Sequence, residues 1–318
     1  MRNKPTSVIL LFLTAIIWGF AFTAQVVGGR IGTFYFNGIR YLLGGFALIP
    51  VIFLFEKNVK NAKISVLSGI GAGVIMFIAS NLQQWGLNIT ESPGKGGFLT
   101  ALYTVFVPVI ARIFTKKKTS RNSYLGAFVA LAGLFMILSG NMSSTETPFF
   151  ETALNFSLFG RAFGLDFSVG YGDIILILCG LAFAFHIVFI DYYNPKISPV
   201  RFSSTQFITC GIISMTAAYF TESITLSDIT GSALIPILYS GLMSTAVAYT
   251  LQIIGQRGVH PTVSAIILST ESMFAALGGA LLLHERLSAM AYAGCALMMV
   301  GIFIANIPSK AYNKKGVK

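Results

Sequence analysis

Glu271 is the only ionisable residue in the run IILSTESMFAALGGALLL, residues 266 to 283. An ionised acid at the centre of an apolar helix costs roughly 2.5 to 3.5 kcal/mol on insertion scales. Such a carboxylate can carry a proton, charged at one stage of a cycle and neutral at another, or anchor a solute's amine. It can also stay neutral and hydrogen-bond a neighbouring helix, an interaction averaging only about 0.6 kcal/mol inside a membrane. Arg40, in FNGIRYLLGG (36 to 45), is the second deep charge. It lies roughly 10 Å inside its apolar run at 1.5 Å per residue, placed to pair with backbone carbonyls or an inner carboxylate, or to touch a solute. Arg112, just before Lys116 to Lys118, reads instead as an anchor that snorkels to the membrane surface.

Uncharged groups fill out the set. Asn81, Gln83, Gln84 and Gln252 offer donors and acceptors that either line a cavity or fasten helices together. Trp18, Tyr103, His186 and Tyr249, with Trp85 and Tyr239, supply aromatic surface for an amphiphilic solute or a cation held over a ring. Rings at these positions equally serve plain packing or an interfacial belt.

Other chemistries lack their signatures. Cys179, Cys210 and Cys295 show no CxxC or Cys/His spacing and read as small core residues. The HER beginning at His284 lacks the second His of HExxH, and no Walker or GxGxxG loop is present. No metal, no cofactor and no ATP drive are expected.

The elements that must position these groups follow from composition. Of 318 residues, 55% are hydrophobic and 10% charged, far below the usual charged share of about 25%. A bilayer core about 30 Å thick needs roughly 20 apolar residues per helix, and ten such segments can be marked: 7 to 27, 33 to 55, 67 to 90, 96 to 115, 123 to 140, 172 to 191, 202 to 220, 234 to 256, 261 to 283 and 291 to 308. The fold class expected is an all-α integral membrane protein, since SYLGAFVALAGLFMIL (123 to 138) is apolar on every face where a barrel strand would alternate. The basic, apolar amino end reads as a retained first helix and not as a cleaved signal.

The net charge of +11 gathers on alternate connections: Arg2 and Lys4, Lys57 to Lys63, Lys116 to Arg121, Lys196 and Arg201, Arg257, and the Lys-rich tail. Arg30, Lys95, Arg161 and Arg286 fall on the other side. This is the positive-inside pattern, which places both termini in the cytoplasm and makes the basicity a matter of orientation, with no nucleic acid partner.

A shift of 168 positions superposes much of two segments without a gap: Gly73 on Gly241, Gln84 on Gln252, Pro93 on Pro261, Gly126 on Gly294 and Gly133 on Gly301. Each half then has a Pro entering its fourth helix and two Gly seven residues apart in its fifth, residues that suit close helix packing. Five helices per repeat is an odd number, so the second repeat is inverted, an architecture with its substrate site near the midplane. The expected units are a first five-helix repeat at 1–140, an extracytoplasmic connector at 141–171, a second repeat at 172–308 and a basic cytoplasmic tail at 309–318. The connector, with Phe interleaved among polar residues, reads as an interfacial stretch or a loop.

Three motifs, in order and correctly spaced, resemble the EamA family of the drug/metabolite transporter superfamily. They are WGFAF at 18 to 22, FNGIRYLLGG at 36 to 45, and LSTESMFAALGGALLLHERLS at 268 to 288. Ser272 departs from the family's usual Pro, and His284 from its common Gly. The resemblance implies ten helices, a cavity lined mainly by the first, third, fourth, sixth, eighth and ninth, and a secondary transporter of the cell membrane. The expected activity is movement of a small organic solute, an amino acid or related metabolite, by alternating access, with proton coupling through Glu271. The partners are that solute and the lipid bilayer, with a homodimer admitted. The alternative is a membrane-embedded enzyme modifying a lipid or metabolite. That alternative lacks the clustered acids or metal triad such chemistry uses.

Overall fold

A computed structural model of the chain describes residues 4–56, 61–116, 119–140, 150–158, 161–223, 233–282 and 288–307. Helices account for nearly all of them: α1 (Lys4–Gly28), α2 (Thr33–Ala47), α3 (Ile49–Phe55), α4 (Ala62–Thr90), α5 (Pro93–Thr100), α6 (Tyr103–Phe114) and α7 (Arg121–Gly140), then α8 (Tyr171–Tyr193) and α9 (Pro199–Thr221). The chain continues through α10 (Leu234–Leu238), a π-helical segment (Tyr239–Tyr249), α11 (Thr250–Gln256), α12 (Pro261–Leu268), α13 (Glu271–Leu282) and α14 (Ala289–Asn306). Among the described residues, eight stretches are long and apolar enough to cross a membrane, Pro93–Phe114 and Pro261–Leu282 being two of them. α7 and α9, of 20 and 23 residues, pack beside them. α9 carries the buried polar residues Ser203, Ser204 and Gln206.

Local chemistry sets the helix starts. Pro93, Pro199 and Pro261 occupy first-turn positions, where the missing N–H is no loss. Ser92, His260 and Ser288 accept backbone N–H groups at the entries of α5, α12 and α14.

Two differences from the sequence expectation matter for the site. The segments marked 96 to 115 and 261 to 283 are each broken in the middle, at 101–102 and at 269–270. The breaks, and all four flanking half-helices, are offset by the same 168 residues. Glu271 therefore does not sit in mid-helix but opens α13. At the second break Ser269 and Thr270 turn their hydroxyls back onto the carbonyls of Ile266 and Ile267 at 2.9 and 2.7 Å, an alternative to continuing the helical ladder. The other difference is in the connector, where Phe150–Leu158 and Arg161–Val169 pair as two antiparallel strands. Segments 141–149 and 309–318, and His284, lie outside the described residues.

Packing ties distant helices in complementary ways. α7 and α14 cross on glycines: a side chain at Gly126 would meet the Gly301 carbonyl at 2.5 Å, and one at Gly133 the Gly294 carbonyl at 2.6 Å. α2–α3 and α9 run antiparallel, each closing the other's N-terminus. Glu56 accepts the backbone N–H groups of Val200 and Arg201 at 3.1 and 2.9 Å, and Glu222 those of Phe34 and Tyr35 at 3.0 and 2.9 Å. Carboxylates there meet the orphan donors and the positive end of the helix dipole. Gly32, at φ +117°, makes room, since a side chain there would run into the Glu222 carboxylate. A buried ion pair, Lys95 Nζ to Asp173 Oδ1 at 2.8 Å, joins α5 to α8.

Candidate functional site

The two breaks face each other. Tyr103 is the first residue of α6 and Glu271 the first of α13, so each breakpoint delivers one side chain inward. The Tyr103 hydroxyl donates to Glu271 Oε1 at 3.0 Å across a sequence separation of 168. Both groups are buried, and both line one narrow cavity.

Six of the nine sequence candidates reach that wall: Glu271, Arg40, Gln252, Trp18, Tyr103 and Tyr249. Arg40, 3% exposed on α2, meets no carboxylate among the described residues. Its guanidinium lies 4.8 Å from the Tyr41 ring and 5.4 Å from the Phe36 ring, Nη2 reaches the Tyr41 hydroxyl at 3.4 Å, and Nε has no partner. The expected inner carboxylate or carbonyl partner is thus replaced by two ring faces. Trp18 donates from Nε1 to the Ser244 carbonyl at 3.2 Å, and its ring rests 4.5 Å from that of Tyr249. Ser244 and Tyr249 both belong to the π-helical segment, whose wider turn is a geometry frequent at functional sites.

Three candidates fall behind the wall and act as fasteners. Asn81 donates to Phe77 O and Ser214 Oγ and accepts from Asn37 Nδ2, joining α2, α4 and α9. Gln84 donates to the Gln25 carbonyl at 3.0 Å and to Asn88 Oδ1 at 2.8 Å. The 168-residue match of Gln84 with Gln252 therefore does not put both amides into one cavity. His186 Nε2 pairs with Gln206 Oε1 at 3.0 Å and stands edge-on behind Tyr249.

Gln25, Thr100 and Ser244 line the cavity without having been singled out, as do Phe22, Phe183 and Ile187. For Gln25 a signal existed: an amide inside an otherwise apolar first helix. Its Oε1 and that of Gln252 have no hydrogen-bond partner, so the cavity offers open acceptors beside the Arg40 donor. Gln83, weighed with the other amides, also lines it and reaches Thr100 Oγ1 at 3.4 Å. Ser272, where the family pattern has Pro, donates to the Gly97 carbonyl at 2.7 Å and so ties α13 to α5.

The comparisons bear on this arrangement. The sequence profile of the EamA-like transporter family matches residues 5–139 and 170–307. An uncharacterized transporter of Archaeoglobus fulgidus is 26% identical over 298 residues, covering 93% of this chain and 84% of the relative. The uncharacterized transporter YoaV of Bacillus subtilis is 22% identical over 291 residues, covering 91% and 92%. A solved crystal structure superposes with a TM-score of 0.74 at 13% identity, covering 96% of this chain and 97% of the other, which shows a shared fold. With the profile spanning nearly every helix, the chain belongs to the EamA-like transporter family and is a multi-pass membrane transporter.

Proposed function

We propose that the chain is a secondary transporter that exports a small organic solute, an amino acid or related metabolite, across the cell membrane, with both termini cytoplasmic. One observation carries the solute class: Arg40, with no acidic partner among the described residues, shares a cavity with Glu271. A zwitterion presents the matching charges, a carboxylate for the guanidinium and an ammonium for Glu271 and the neighbouring rings of Trp18 and Tyr249. The unpartnered Gln25 and Gln252 oxygens add acceptors for a donor-rich group.

Alternating access by two inverted five-helix repeats, 1–140 and 172–308, is the mechanism of this reading. The common 168-residue offset of the broken helices and the two separate profile matches support it. The Tyr103–Glu271 bond then joins counterpart positions of the two repeats. In that place Glu271 exchanges a proton for solute, the phenol holding the carboxylate between exchanges. The enzyme alternative has nothing comparable, since the cavity wall holds a single acid.

The test is efflux of labelled amino acids and metabolites from proteoliposomes, for the native chain and Glu271→Gln, with and without a pH gradient. Gradient-driven efflux lost in the variant is the expected result. Equal, gradient-independent efflux from both would remove proton coupling and leave a facilitator. A chemical change in the recovered solute would favour the enzyme.

A further inference from the structure

α8 has two working faces. Phe183 and Ile187 turn toward the transport cavity. Phe185, Val188, Phe189 and Tyr192, spaced three and four residues apart, line a second hollow of about 360 Å³ on the outside of the bundle. Ile75 of α4 and Ile110 and Phe114 of α6 complete its apolar walls. The bottom is set by Gly71, whose missing side chain lets the Phe189 ring lie against α4. Phe114, Phe185 and Tyr192 are 64%, 39% and 52% exposed, so the hollow opens sideways onto the surface that faces lipid.

Its two ends differ chemically. Most of its length is hydrocarbon and ring, but where α6 and α8 finish it is lined by Thr115, Tyr192 and Tyr193. Two cations stand there. Lys116 follows Thr115 directly, in a left-handed conformation at φ 54°. The Lys196 ammonium lies 5.1 Å over the Tyr192 ring. Both lysines are exposed. An apolar slot that ends at the Lys196 ammonium, with Lys116 next in the chain after a lining residue, matches one kind of molecule, with a long chain and an anionic head.

We propose that this groove is a binding site for an anionic glycerophospholipid, one acyl chain lying along Phe189 between α4, α6 and α8 and the phosphate held between Lys116 and Lys196. Juxtamembrane lysines attract anionic lipid heads, and the rings at the mouth sit at headgroup level as interfacial aromatics do. The occupant also has a route to the transport cycle. α6 begins with Tyr103 in the solute cavity and ends at Phe114 in the groove, so a chain wedged beside α6 and α8 resists their relative movement. The inference needs only the membrane setting, and so stands apart from the identity of the solute.

Native mass spectrometry of the purified full chain, released from micelles containing equal amounts of phosphatidylglycerol and phosphatidylcholine, tests it. The native protein is expected to retain phosphatidylglycerol preferentially. The preference should fall roughly fivefold for each lysine removed in Lys116→Gln and Lys196→Gln, the effect of a single juxtamembrane charge. Val188→Trp, which fills the groove and keeps both lysines, should release both lipids alike. Equal retention of the two lipids by the native chain would overturn the proposal. So would a preference that survives the double glutamine variant, or phosphatidylglycerol retention that survives Val188→Trp.

Discussion

Tyr103→Phe takes from Glu271 its hydrogen-bond donor while keeping the ring. A buried acceptor left without its partner costs about 1 to 3 kcal/mol. The expected outcome is a folded protein with lowered thermal stability and slowed gradient-driven efflux. Unchanged efflux would mean that the Tyr103–Glu271 bond has no part in the cycle. Arg40 invites a sharper distinction. A charge-assisted hydrogen bond is worth roughly 1.5 to 3 kcal/mol, so Arg40→Gln should raise the KM for a carboxylate-bearing solute about ten- to a hundredfold. The same change should leave efflux of the corresponding amine, which lacks the carboxylate, nearly as before. A parallel loss for both solutes would make Arg40 a packing residue held by Phe36 and Tyr41.

Among the helices, the α5–α8 tie gives a test of energetics that does not involve the cavity. Removing one member of a buried ion pair costs about 3 to 5 kcal/mol, whereas replacing both by apolar groups is often neutral. Lys95→Met should therefore unfold at lower temperature than the native chain, and Lys95→Met with Asp173→Asn, which removes the second charge but keeps an acceptor for the Gly170 N–H, should recover most of the loss. An additive double variant would show that the two charges act independently. At the α7–α14 crossing, Gly126→Leu drives a branched side chain into the Gly301 carbonyl, 2.5 Å from the position of its Cβ. Overpacking of 1 to 3 kcal/mol or more should appear as aggregation on size exclusion. This glycine crossing was legible in the sequence, because only small residues let two membrane helices approach so closely. The helix breaks were not. Ala101 and Leu102 are ordinary helix formers, and the bend there is imposed by tertiary packing. At Ser269 and Thr270 the hydroxyl pair was a signal, but one that also occurs inside unbroken helices. The π-helical turn carrying Ser244 and Tyr249 left no mark in residue type at all.

The assembly of all these helices depends on contacts between the two matched segments more than on the chain that links them. α1 packs on α13, α2 on α9, and α4 on α8 and α9, so each half is built against the other. A protease site inserted within 141–149 should therefore yield, after cleavage, two fragments that co-purify and still transport. Separation of the fragments in mild detergent would mean that the connector holds them. Six of the nine candidate residues could be gathered from sequence because polar groups in apolar helices converge on whatever cavity exists. Asn81, Gln84 and His186 could not be sorted from them, since a lining amide and a fastening amide look alike until the partner helix is known. The pairing of Tyr103 with Glu271 bears, finally, on ancestry and on bias. Had the two repeats begun as identical copies, counterpart positions 103 and 271 would have held the same residue. Had that residue been an acid, two carboxylates at the 3.0 Å now separating phenol and carboxylate would have had to share a proton. Such a symmetric carrier has inward- and outward-open forms of equal energy. In a carrier of inverted repeats, as proposed above, a phenol opposite a single carboxylate breaks that equality, and the empty protein would then rest toward one side of the membrane.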